Sequence, residues 1–293
     1  MEFHATAKRA TRRYSLPFLA RWTLERTFRD LTAWARALPD FVIVGAQRCG
    51  TTSLYNYLVE HPDTSPAFMK ETHFFDLQFY RGLSWYRAHF PIAWNASRTA
   101  ARAARSRRVA GEATPYYLFY PHAPHRVLAT VPGAKLIVLL RNPVDRAYSH
   151  YHHEVATGVE TASFEEALER EEATLPAETA KILKDGSYRS FAHFHYSYLS
   201  RGVYVDQLER WGQFFPREQT LILKSEEFYE RPAATMEQVM GFLNLRPWTS
   251  GRYRKFNEAQ YAAMQPATQR RLADYFRPHN ERLYAYLGTN LGW

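Results

Sequence analysis

The chain has 293 residues, 46% of them hydrophobic, and a formal net charge of +9. That is enough apolar sequence for one large α/β domain or two small ones, and the charge points to acidic partners: nucleic acid, anionic lipid, a phosphorylated cofactor or an acidic polysaccharide. No run of about 18 apolar residues is present, so no transmembrane helix is expected, and no apolar signal-peptide core is seen near the N-terminus. One cysteine, Cys49, excludes an intrachain disulfide framework and fits a reducing compartment. On these grounds the expected location is cytoplasmic.

Residues 1–40 form a basic lead-in. Lys8, Arg9, Arg12, Arg13, Arg21, Arg26, Arg29 and Arg36 alternate with Phe18, Trp22, Leu24, Phe28, Leu31 and Leu38 at roughly helical spacing, and Pro17 suits a first helical turn. The pattern predicts an amphipathic helix with its apolar side packed on the main domain. Peripheral contact with a membrane surface is the alternative.

Residues 41–293 read as one main domain. Phe41-Val42-Ile43-Val44 is a short apolar run ending at Gly45, as in a buried parallel strand, and Thr51–Glu60 reads as a helix stopped near His61-Pro62. Asn95-Ala96-Ser97 has the form of a glycosylation sequon and is read as chance. Arg98, Arg102, Arg105, Arg107 and Arg108 follow without an acid between them. They make either a solvated loop or an edge for a negatively charged substrate. Leu136–Leu140 is a second buried strand, followed by Asn142-Pro143 as N-cap and first-turn proline. An amphipathic helix over Val203–Phe214 precedes a third apolar run, Thr220–Leu223. Strands alternating with helices predict an α/β fold of three layers, a central parallel sheet flanked by helices.

Strand, glycine-containing loop and helix make an anion cradle, because loop and helix-start N–H groups converge on the ligand. The loop is Gly45-Ala46-Gln47-Arg48-Cys49-Gly50-Thr51-Thr52-Ser53. Gly45 and Gly50 have the spacing of the nucleoside-triphosphate loop, but Thr51 stands where that loop has its lysine. The fold is therefore P-loop-like, suited to a phosphate and poorly suited to ATP. Gln47, Arg48, Cys49, Gly50, Thr51, Thr52 and Ser53 are the candidate binding residues. A second anion position is predicted at Arg141, where a strand ends, and Ser149 on the next helix.

Three motifs occur in order: Gly45–Leu58 (GAQRCGTTSLYNYL), Lys70–Asp76 (KETHFFD) and Arg141–Ser149 (RNPVDRAYS). With Gly82-Leu83-Ser84-Trp85-Tyr86, Leu208-Glu209-Arg210-Trp211 and Pro278-His279-Asn280, the chain from about Phe41 onward resembles the sulfotransferases that use 3′-phosphoadenosine 5′-phosphosulfate (PAPS). The resemblance is nearest to the heparan sulfate N- and 3-O-sulfotransferase branch. It implies PAPS as donor, adenosine 3′,5′-bisphosphate (PAP) as product, no metal, and a P-loop-like α/β fold. It implies that the loop holds the 5′-phosphosulfate and that Arg141 and Ser149 bind the 3′-phosphate. It places the catalytic base at Glu71, with Arg48 as the loop cation and His153 as an auxiliary acid or base. Beside Phe74-Phe75, the Glu71 carboxyl is expected to have a raised pKa; the competing reading is a surface ion pair with Lys70 or Arg81.

The sequence departs from that family in four places. Ala113, in Gly111-Glu112-Ala113-Thr114, replaces a lysine, and Arg48 replaces the loop lysine, a planar fork for a point charge. The C-terminal lysine-containing loop is not clear, with Arg254 and Lys255 as weak substitutes. The cysteine pair of the animal enzymes is absent, which agrees with an intracellular location. The sequence thus predicts a sulfotransferase acting on a hydroxyl or amine of a small molecule or glycan, not a nucleic-acid partner. The alternatives are a kinase-like phosphotransferase, against which Thr51 argues, and a non-catalytic binder of nucleic acid or anionic membrane. Tyr116, Tyr117 and Tyr120 read as core or as the lining of a sugar site.

Overall fold

The structure is a computed structural model that describes residues 16–93, 108–251, 253–254 and 261–293. Residues Arg98–Arg107, the sequon and Lys255 lie outside the described residues.

In chain order the helices are α1 (Leu16–Leu31), α2 (Thr51–Glu60), α3 (Gly82–Arg87), α4 (Ala123–Thr130), α5 (Pro143–Ala156), α6 (Phe164–Lys184), α7 (Phe191–His195), α8 (Tyr204–Gly212), α9 (Ser225–Glu230), α10 (Pro232–Leu243) and α11 (Pro266–Leu287). The strands are β1 (Phe41–Gly45), β2 (Thr64–Pro66), β3 (Val109–Ala113), β4 (Lys135–Leu140) and β5 (Thr220–Lys224). They form one parallel sheet in the order β2-β3-β1-β4-β5. The chain leaves the central strand β1 toward β2 and β3 on one side, then crosses to β4 and β5 on the other. Ligands collect at the carboxyl ends of strands where such a sheet switches direction.

The described chain divides into two compact units. One comprises Leu16–Leu140 and Trp211–Glu258 and contains the whole sheet; the other contains Arg141–Arg210 and Ala259–Trp293. In the sheet unit, Phe41, Val42, Ile43, Leu136, Ile137, Leu139 and Leu140 are fully buried, as the continuous apolar runs of a doubly covered parallel sheet require. β3 is buried at every position although it carries a glycine and a glutamate. At Gly111, paired with Phe41, an added Cβ would lie 2.5 Å from the Phe41 ring, so only glycine lets that ring lie across β3. Tyr116, Tyr117 and Tyr120 are buried as well and belong to the core.

The lead-in helix reverses the expected polarity. In α1, Trp22, Leu24, Phe28 and Leu31 are exposed; Trp22 still touches the Phe68 ring at 5.9 Å between centroids, but most of the contacts are made by arginines. Arg26 meets His89 Nε2 at 3.0 Å, Arg29 lies 4.7 Å over the Phe68 ring, and Arg36, just beyond the helix, donates to the Phe90 carbonyl at 2.8 Å. Guanidinium groups stack on aromatics and cap carbonyls as well as an apolar face would pack.

The second unit is held by polar groups in its interior. Glu171 on α6 is buried and accepts from Leu199 N at 2.7 Å and Ser200 N at 2.8 Å. Arg146 on α5 is buried and donates to the Tyr198 carbonyl. Both tie down the chain between α7 and α8, where only a short 3₁₀ turn at Ser200–Gly202 supplies backbone hydrogen bonds of its own.

Candidate active site

The loop read as a phosphate cradle, Gly45–Ser53, runs from β1 into α2. Ala46 N donates to the Leu139 carbonyl at 2.8 Å, joining the loop to the end of β4, and Cys49 N donates to the Ala46 carbonyl at 3.3 Å. The turn needs left-handed backbone at Arg48 (φ 68°) and at Gly50 (φ 97°). Gly50 is doubly constrained, because a Cβ there would lie 2.8 Å from the Tyr229 hydroxyl. Cys49 is buried, and its carbonyl accepts from Ser225 Oγ at 2.9 Å. The helix α9 that carries Ser225 and Tyr229 therefore backs the loop. Gly50 is the N-cap of α2 and supplies no side-chain hydrogen bond. Glycine, with no side chain, places no capping acceptor over that helix start. Thr51 and Ser53 are buried there, and Thr52 is partly exposed.

The KETHFFD segment places its charges beside that helix start. Lys70 Nζ donates to Thr52 Oγ1 at 2.7 Å and lies 2.7 Å from Glu71 Oε1. Glu71 Oε2 lies 3.6 Å from His73 Nε2, and His73 Nδ1 lies 2.8 Å from Asp76 Oδ2. Of the two ion pairs foreseen for Glu71, the one with Lys70 forms; Arg81 bonds Gln78 instead.

The expected rise in the Glu71 pKa does not occur. Burial pushes the carboxyl up, but hydrogen bonds and charge from His73 and Lys70 outweigh it and hold it at about 2. Conversely, burial works against the His73 imidazolium, while Asp76 and Glu71 outweigh burial and raise it to about 10. The site therefore holds an ionised carboxylate between two cations.

Behind Glu71 stands a buried carboxyl that sequence reasoning passed over. Glu112 on β3 accepts from Thr72 Oγ1 at 2.8 Å, Tyr86 OH at 2.7 Å, Thr114 Oγ1 at 2.6 Å and Tyr117 OH at 3.2 Å, and from Thr72 N at 3.3 Å. Burial raises its pKa above the ordinary carboxylate value, against the pull of these donors. Tyr117 OH also accepts from Phe74 N at 2.8 Å. The segment on both sides of Glu71 is thus bonded to the end of β3. His73 was missed as well; its signal was the Glu-x-His-x-x-Asp spacing within the motif.

The remaining predicted residues divide between the two units. Gln47, Arg48, Cys49, Gly50, Thr51, Thr52, Ser53 and Glu71 belong to the sheet unit. Arg254 does too, but its carbonyl accepts from Tyr57 OH at 2.6 Å, which sets it beside the second half of α2. Arg141, Ser149 and His153 belong to the other unit. There Asn142 caps α5, accepting from Val144 N at 3.0 Å, and the Arg141 carbonyl accepts from Tyr204 OH at 2.9 Å. Ser149 is buried on α5, with the partly exposed His153 one turn on.

The family model described as "Sulfotransferase domain" matches residues 38–275. Among curated proteins, the chain is 26% identical to "Membrane-associated sulfotransferase kil1" of Dictyostelium discoideum, over 87% of this chain and 66% of that protein. It is 29% identical to human "Heparan sulfate glucosamine 3-O-sulfotransferase 6", over 88% of this chain and 74% of that protein. The chain thus spans about two thirds to three quarters of these relatives. Among solved structures, a sulfotransferase from Alicyclobacillus acidocaldarius shares 32% identity with a TM-score of 0.63, over 87% of this chain and 98% of that one. The expected cytoplasmic location is overturned by these relatives, one of which is by name membrane-associated: a single cysteine and a short apolar inventory do not fix a compartment. Among the described residues no helix is long and apolar enough to cross a membrane. On the extent of the family match and the likeness to the solved sulfotransferase, the chain belongs to the sulfotransferase domain family.

Proposed function

We propose that the protein transfers the sulfuryl group of PAPS to a hydroxyl or amine of a carbohydrate, with Glu71 as base. One observation carries this reading. Lys70 bonds both Thr52, at the start of the phosphate-loop helix, and Glu71, so an anion cradle and an ionised carboxylate share one site.

The cradle fits the donor. The loop N–H groups and the start of α2 suit a 5′-phosphosulfate, which does without the lysine that a triphosphate calls for. Arg141 and Ser149 keep the role that the resemblance gives them, the 3′-phosphate, and His153 that of an auxiliary acid or base. Arg48 supplies loop charge. Arg254 and Lys255 are the weakest members of the set and are proposed only for the adenosine end.

In the reaction the acceptor oxygen or nitrogen bonds to sulfur in line as the bond from sulfur to the bridging phosphate oxygen breaks. The acceptor proton passes to Glu71, and the electron pair leaves on the phosphate of PAP. The chain's own task is to place Glu71 within reach of that proton and to stabilise charge on the departing oxygen. The glycan acceptor is proposed from the relatives that act, by name, on heparan sulfate.

The test is two-fold. PAP should raise the melting temperature by mass action, and ³⁵S-labelled PAPS should label desulfated heparan sulfate more than simple phenols. Stabilisation by ATP with Mg²⁺ but not by PAP sinks the reading; labelling of phenols alone sinks the carbohydrate part of it.

A further inference from the structure

The lysine implied at position 113 is missing, and the fold shows what stands beside the gap. Ala113 ends β3 and is fully buried. Its N–H donates to the Lys70 carbonyl at 2.9 Å. The residue alongside the vacant position is therefore itself a lysine, and its ammonium turns toward the site. It donates to Thr52 Oγ1 and meets Glu71 Oε1, each at 2.7 Å.

These two partners mark the two ends of the proposed transfer, on which this inference rests. Thr52 is the second residue of the helix that cradles the phosphosulfate; Glu71 receives the acceptor's proton. The sulfuryl group has to travel between them. An ammonium carries three N–H donors on a flexible four-carbon stem. Thr52 and Glu71 account for two, which leaves one for a sulfuryl or bridging oxygen.

We propose that Lys70 is a catalytic cation at the transferred sulfuryl group, replacing the lysine that position 113 lacks, and that arrival of the donor draws it from Glu71 toward that group. Two effects follow from the one movement. The ammonium meets negative charge as it builds on the bridging oxygen while the sulfur–oxygen bond breaks. Glu71 loses one of the two cations that keep its carboxylate acidic, so it becomes a better base when the acceptor is in place. A loaded donor site thus switches on the base, and an empty one keeps it paired.

The experiment compares wild type, Lys70→Met and the double variant K70M/A113K. Lys70 is partly exposed, and methionine keeps its stem, so the single variant is expected to fold. PAP affinity is read by thermal shift. Turnover of PAPS is read both on desulfated heparan sulfate and on water, as release of PAP, over a range of pH. Lys70→Met should lower turnover by about 10²–10³-fold, the usual loss for one transition-state donor, and leave PAP affinity within about threefold. Its acid limb should move to higher pH, because Glu71 has lost a cation. K70M/A113K should recover at least about tenfold of the lost rate. Turnover of Lys70→Met within about threefold of wild type overturns the inference, as does a loss of PAP affinity equal to the loss of rate. A folded double variant no faster than the single one overturns it too. Wild type that neither binds PAP nor turns over PAPS overturns the functional reading and this inference together, which separates the two failures.

Discussion

His73 Nδ1 lies 2.8 Å from Asp76 Oδ2, and this pair fixes a cation against Glu71. The geometry depends on an uncommon backbone state: His73 has φ 50°, and its carbonyl accepts from both Leu77 N and Gln78 N. The imidazolium's pKa is raised from 6.5 to about 10, so its stabilisation is fully present below pH 6.5 and is lost as pH rises toward 10. His73→Asn keeps a residue that tolerates the left-handed region and removes the charge. Urea denaturation should show wild type losing stability between pH 6.5 and 10, with a flatter curve for the variant. At pH 6 the gap should be about 2 kcal/mol, the size of a hydrogen bond to a charged group. Parallel curves count against a charged His73.

The same pairing sets the pH profile expected of Glu71 as the proposed base. Glu71 is held at about 2, so its folded pKa is depressed and the carboxylate stays ionised down to strongly acid pH. The kcat/KM profile should therefore show no fall from Glu71 between about pH 7 and pH 4. In His73→Asn the acid limb should move up toward the ordinary carboxylate range near 4.5. An unmoved limb means that another group sets it.

Two substitutions separate chemistry from donor binding. Glu71→Gln should lower turnover by at least about 10²-fold, the lower range for general base catalysis, and leave PAP affinity nearly intact. Arg141→Ala should weaken PAP by about 2 kcal/mol, a charge-assisted contact. Isothermal titration with PAP decides both; a large loss of PAP affinity in Glu71→Gln removes Glu71 from the role of base.

Glu112 accepts from four side chains and one backbone N–H. Glu112→Ala strands these buried donors and should cost about 3 kcal/mol or more. Glu112→Gln keeps the shape but turns N–H groups toward hydroxyls that already donate, and should cost about 1–3 kcal/mol. Chemical denaturation checks both, and an alanine variant within about 0.5 kcal/mol of wild type rules out the network as a support.

Gly50→Ala meets two obstacles, a φ of 97° and the Tyr229 hydroxyl. Strain of about 1–3 kcal/mol is expected, and PAP affinity should fall with it as the loop shifts. Adding Tyr229→Ala should recover part of the loss, since it removes the clash and leaves the backbone cost. Full recovery means the backbone angle is not the constraint.

The strands β1, β4 and β5 were legible because each is a short apolar run, and α2 because a helical pattern follows the loop. β2 was not, since Thr64-Ser65-Pro66 carries no periodicity. β3 carries a glycine and a glutamate where a buried strand is expected to be apolar, and only its neighbours make those residues suitable: Gly111 admits the Phe41 ring, and Glu112 meets hydroxyls from distant segments. The strand–loop–helix arrangement of Gly45–Ser53 was readable as a motif, while the roles of that loop and of Glu71 are proposals. The direction of the Glu71 pKa was not readable, because the two phenylalanines after it were visible in sequence, whereas the turn that brings His73 back onto it was not. The lead-in helix was found and its packing side misjudged, since spacing does not reveal that arginines, rather than apolar residues, hold it.

Glu112 pairs with Val42 across the sheet while it holds Thr72 beside Glu71. A slip of β3 by one residue would turn the carboxyl to the opposite face and release Thr72. The register of β3 and the position of the segment that carries Glu71, the proposed base, are therefore linked through one buried carboxyl.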